Sequence, residues 1–347
     1  MTADETLVNP ALPGEPTAVQ VFRASIAAVI GKESKWRMRG RRAFVILAVY
    51  VALLGLFELF VAKLLYDQAA MQVTLDGDFV ANPDGFAAGS VASGIGQVLF
   101  GAVISLQMLL VMFVAPALSS GAVSMEREKQ TLELLITTPV STLGMIVGKL
   151  FASLAYVFLL IAASVPLMAL VFVFGGVAPE DVVRAYVLLC AVAIGIGSIG
   201  LFMSALTKRT QVATVLSLLV VLVLTIGSLI AHTYIQTTSQ RFDRGEFRPG
   251  RAPEALLLLN PVVAVVDIGC TAIPENGFTC SYIGTVTSPD AQFDFTNAPR
   301  DAFWPRTSIA FLLLALILTL VTTQLIAPSR RVRRRRTLMV PSKPSAT

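Results

Sequence analysis

Apolar residues in this chain do not alternate with polar ones; they come in long unbroken runs. Six runs reach the roughly 18 residues at which an apolar helix can cross a bilayer: 43–65, 95–118, 143–174, 182–206, 212–234 and 307–327. The third is longer than a bilayer needs, so it is expected to tilt, or to kink at Pro166. A shorter apolar stretch, 255–269, carries Asp267 and is broken by Asn260 and Pro261. It is too short to span and predicts a re-entrant or interfacial helix pair between the fifth and sixth spans, where irregular backbone must be covered by protein. The rest of 236–305 is rich in Pro, Gly, Asp and Thr and predicts an exposed cap or a short hairpin. Upstream of the first span, Val19, Val21, Phe22, Ile26, Val29 and Ile30 mingle with Arg23, Lys32, Lys35, Arg37 and Arg39. That mixture predicts an amphipathic helix over 19–42, lying in the membrane interface. Residues 1–18 are polar with three prolines and are expected to be a disordered tail.

Composition agrees with this pattern. The chain is 55% hydrophobic and 14% charged, against about 25% charged in a soluble globular domain. The first 40 residues lack a compact apolar core followed by a small-residue cleavage site, so the first span is expected to stay as an anchor. The fold class is therefore an all-α integral membrane protein with six transmembrane helices.

Charge gives the orientation. Basic residues flank the first span at Arg37, Arg39, Arg41 and Arg42, lie between later spans at Arg127, Lys129, Lys149, Lys208 and Arg209, and form the 328–347 tail from Arg330 to Arg336. The loop after the first span carries Asp67, Asp76, Asp78 and Asp84. Short basic loops stay inside, so both termini are expected in the cytoplasm and 236–305 outside. The plasma membrane is the expected location. The arginines of 236–305 carry little weight, because long loops cross regardless of charge. The net charge of +5 thus reads as a collar on anionic lipid heads. No aromatic interleaving or nucleic-acid motif favours nucleic acid as a partner.

The densest charge between two spans lies at 119–139. Helical spacing over 124–138 puts Leu132, Leu135 and Ile136 on one face. Glu126 and Glu128 fall in the first turn, where the helix dipole favours acid. Arg127, Lys129 and Glu133 are left to point elsewhere, and Pro139 ends the helix.

Other chemistry is sparse. A phosphate-cradling loop needs Gly-x-x-x-x-Gly-Lys-Ser/Thr, and neither Gly31–Lys32 nor Gly148–Lys149 fits. The single histidine, His232, has no His or Cys cluster near it in sequence and is expected at the outer interface, so neither a metal site nor a catalytic residue is expected. Glu58 lies inside the first span, where an acid is a functional candidate by default; with Lys63 nearby, a snorkelling structural acid is the equal alternative. Gln97 and Gln107 of the second span either line a pathway or bond between helices. Gly195, Gly197 and Gly200 predict close packing of the fourth span. Cys270 and Cys280 share the outer loop, where an oxidising compartment would permit a disulfide; two free thiols is the other reading.

The segment Glu126, Arg127, Glu128, Lys129, Thr131, Leu132, Glu133, Leu134, Leu135, Thr137, Thr138 and Pro139 resembles the cytoplasmic coupling helix of type 2 ABC exporter permeases. Further similarity lies in Lys32, Glu33, Arg37 and Arg39 before the first span, in the tight turn at 204–213, and in Asn260–Pro261 where the family places its outer helices. The resemblance covers residues 20–327. It implies a half-transporter without enzyme activity, paired with a second permease copy as a homodimer or heterodimer. It also implies cytoplasmic ABC ATPase subunits as partners, with ATP and Mg used by them and no cofactor bound by this chain. Glu126, Arg127, Glu128, Lys129, Thr131 and Glu133 become the expected ATPase contacts. Reversing Glu128 to Arg is then expected to uncouple hydrolysis from transport. Two other classes stay open from the residues alone: a stand-alone secondary transporter or channel, which would favour broken spans with paired ionisable groups, and a membrane-assembly protein that docks through its outer loop.

Overall fold

The computed structural model describes residues 31, 41–75, 86–130, 142–239, 241–243, 246–248, 253–271 and 303–326. The expected interfacial helix over 19–42 lies outside them except for Gly31, Arg41 and Arg42. The tails 1–18 and 328–347 lie wholly outside.

The chain is an all-α integral membrane protein. Six stretches are long and apolar enough to cross a membrane: Phe44–Gln68, Ser93–Glu128, Thr142–Phe174, Pro179–Leu206, Thr210–Thr238 and Phe303–Ile326. They are built from α1 (Arg41–Leu75), α2 (Phe86–Ser119), α3 (Gly121–Glu128), α4 (Thr142–Ala163), α5 (Val165–Phe174), α6 (Pro179–Leu206), α7 (Thr210–Leu222), α8 (Ser228–Thr238) and α10 (Phe303–Ile326), with the short helix α9 (Pro261–Thr271) before the last. The only strands among the described residues are β1 (Arg241–Asp243) and β2 (Glu246–Arg248), an antiparallel pair with Phe242 opposite Phe247.

Three spans are interrupted. α2 contains Pro116, which removes one backbone donor. The Ser119 and Ser120 hydroxyls then donate back to the Ala115 and Ala117 carbonyls at 2.9 and 3.1 Å. The helix breaks at Ser120 and resumes as α3. The third span breaks at Ser164, with Pro166 in the first turn of α5. The fifth carries one π-helical turn, Val223–Gly227, between α7 and α8.

α6 is the centre of the bundle, packing on α2, α3, α4, α7, α9 and α10. Its glycines explain how. A Cβ on Gly195 would sit 2.5 Å from Phe311 of α10, and one on Gly197 would sit 2.7 Å from Leu154 of α4. One on Gly200 would collide with Ser119 of α2. Each glycine removes the atom that would hold one neighbour off, so three helices close on α6 at once. By contrast α1 is peripheral. Of its described side chains only Leu54 and Glu58, one turn apart, are buried.

Candidate functional site

The end of the bundle that carries α3 is knit together by polar side chains. α3 is only 8 residues long, and Ala122, Val123 and Ser124 are buried. Ser204, at the end of α6, accepts from the Val123 and Ser124 amides at 3.0 and 2.9 Å. The first N–H groups of a helix have no partner within it, and here a neighbouring span supplies one. The Ser204 hydroxyl donates in turn to Ser124 Oγ at 3.2 Å. Ser120, at the break, is 2.7 Å from Thr214 of α7, hydroxyl to hydroxyl.

Two charged contacts complete the seat. Lys149 of α4 is 2% exposed. Its ammonium donates to the Ala122 carbonyl at 3.2 Å and is ion-paired with Glu126. Glu128 accepts from the Thr210 amide at 2.8 Å and from the Thr210 hydroxyl at 3.2 Å. Thr210 is the first residue of α7, whose N-cap, Arg209, offers no side-chain acceptor. Glu128 therefore caps α7 from another element, with its negative charge at the positive end of that helix.

Of the helix expected over 124–138, residues 131–138 lie outside the described residues, and the described part differs from the expectation. The helix starts earlier, at Gly121, and ends at Glu128. The Lys129 and Gln130 amides fold back onto the Met125 and Arg127 carbonyls at 3.1 Å each. Gln130 takes a φ of 56°, the left-handed turn that closes many helices. Thr131 and Glu133 lie outside the described residues. Of the expected contact set, Glu126 and Glu128 bond within the chain, Lys129 is exposed and Arg127 is half-buried.

The intramembrane candidates separate. Gln97 donates to the Gly176 carbonyl at 3.0 Å, fixing the start of α2 to the loop between α5 and α6. That loop turns on Gly175 and Gly176, both at φ just above 80°. Gln107 and Glu58 are both buried. Gln107 donates to Ser164 at 2.6 Å, at the break in the third span, and Ser164 is 2.9 Å from the Tyr186 hydroxyl. His232 is buried. Cys280 and the side chain of Cys270 lie outside the described residues, and Cys190 is a free thiol.

Asn260 carries more than its sequence signal suggested. Its Oδ1 accepts from the Val262 and Val263 amides at 3.0 and 3.3 Å, capping α9. Its Nδ2 donates to the Thr225 carbonyl and to Ser228 Oγ, both at 2.9 Å. Thr225 belongs to the π-helical turn. One buried amide thus joins α9 to the irregular point of the fifth span.

Lys149, Ser204, Thr210 and the Ser164–Tyr186 pair had no assigned role in the sequence. Lys149 was visible as an isolated cation at the start of an apolar run. The partners of the other residues lie at least 22 positions away in sequence, and no local pattern announces them.

At one end of the six-span bundle, a short polar helix is seated by four of its spans. Residues 27–323 match the family model described as ABC-2 family transporter protein, and the chain belongs to that family. It is a multi-pass ABC transporter permease, and the family implies association with an ABC ATPase. No curated protein matches the chain.

Proposed function

We propose that this chain is the membrane subunit of an ATP-driven exporter in the plasma membrane, with both termini and α3 in the cytoplasm. A separate ATPase binds ATP and Mg and moves α3. The observation that carries this reading is the way α3 is held. It continues directly from the second span, grips the third through Lys149 and the fourth through Ser204. It grips the fifth through Glu128 with Thr210 and Ser120 with Thr214. A displacement of α3 is therefore delivered to four spans at once, while exposed Lys129 and half-buried Arg127 remain at its open end for a partner. A second permease copy, identical or related, completes the pathway.

This arrangement changes which substitution tests the reading. Reversing Glu128 would break an internal cap as well as any outside contact. The double reversal Arg127→Glu with Lys129→Glu spares every side-chain bond named above. It should lower the ATPase that co-purifies with the chain by at least about tenfold, since opposed like charges cost several kcal/mol, with membrane insertion unchanged. An undiminished ATPase yield would contradict the proposal.

A further inference from the structure

α1 meets the bundle through two buried side chains, and one of them is an acid. Glu58 is 1% exposed, and among the described residues neither carboxylate oxygen has a hydrogen-bond partner. A shift of one or two positions along the helix would have put it beside exposed Leu56, Leu59 or Phe60. Buried charge that is not matched by a partner is costly, so this acid is not explained by packing.

Its surroundings are those of a recognition site. Tyr186 lies within electrostatic reach of Glu58 and hydrogen-bonds Ser164. Tyr50, two turns before Glu58 on α1, is within reach of both Tyr186 and Gln107. The donors of this cluster are largely spent. Ser164 has one proton and gives it to the Ile161 carbonyl at 2.7 Å, so Tyr186 must donate to Ser164. The Gln107 amide also donates to Ser164. What is left over, beside the Tyr50 hydroxyl proton, is acceptor capacity: both oxygens of Glu58, and Gln107 Oε1, which is also buried and unpartnered. The cluster lies where the third span is broken at Ser164, and its outer wall, α1, is the span least held by the others.

We propose that Glu58, Gln107, Tyr50 and Tyr186 form a binding site within the membrane for the ammonium head of a cationic amphiphile. A primary ammonium brings three N–H donors and a positive charge to a place that offers acceptors, a carboxyl group that would ionise against it, and two aromatic rings that attract cations. An alkyl tail would leave past α1 toward lipid. The site's meaning as a cargo site rests on the permease reading above; the binding itself does not.

The test uses the full-length chain in lipid nanodiscs without any ATPase, with tritiated dodecylammonium as the probe and protein-free nanodiscs as the blank. Saturable binding is expected. Glu58→Gln, nearly isosteric, should weaken it at least about 30-fold, the scale of losing a buried charge partner. Glu58→Asp should weaken it less, and keeps the experiment decisive if the first variant fails to fold. Neutral dodecanol should not compete. Wild-type affinity in either folded variant, or equal competition by dodecanol, would overturn the proposal and leave Glu58 as an acid that carries only a proton. The permease reading would survive that result, because it is tested by the ATPase partner.

Discussion

Lys149 sits in an apolar helix, buried, with its ammonium on the Ala122 carbonyl and the Glu126 carboxylate. Removing one member of such a pair leaves the other poorly compensated, which costs more than the pair itself is worth. Lys149→Met should therefore destabilise the chain by about 1–3 kcal/mol. The double variant with Glu126→Leu should recover part of that loss. A double-mutant cycle read by thermal melting in detergent checks this, and additive losses would show that the two side chains act independently. The same residue shows what the sequence hides. Glu126 read as a contact for an outside partner because its segment resembles a coupling helix. Its use is Lys149, 23 residues downstream, and no helical or strand period links the two.

At the scale of elements, the helices were legible and their interruptions only partly so. Apolar length alone located all six spans, because lipid demands it. Pro166 and the Asn260–Pro261 pair marked two breaks through the missing backbone donor of proline. The π-helical turn at Val223–Gly227 gave no such sign. It is set against Asn260, whose amide takes up the Thr225 carbonyl, and a contact 35 residues away cannot be read from local propensity. Asn260→Asp should keep the cap on Val262 and Val263 yet turn a donor facing Thr225 into an acceptor. Asn260→Ala should lose both and cost about 1–2 kcal/mol. Hydrogen exchange should then be faster at the first amides of α9 in Asn260→Ala than in Asn260→Asp, with α6 unaffected. Equal exchange in wild type and both variants would show that α9 is held by packing alone.

At the scale of the molecule, the family match over 27–323 and the seat of α3 point the same way. The glycine face of α6 lets α2, α4 and α10 close on one central helix. α3 is bonded to α4, α6 and α7. Charge density drew attention to this region, but the expected helix is interrupted after Glu128. The stop after Glu128 depends on a left-handed Gln130 that its residue type does not advertise. In the proposed function, an ATP-binding subunit presses on the open end of α3. The most direct measurement is photo-crosslinking from a probe at position 129, with a second probe at exposed Val183 near the opposite end of α6 as the control. An ATPase subunit should be captured from position 129 and not from position 183. Capture from neither position, or equally from both, would contradict it.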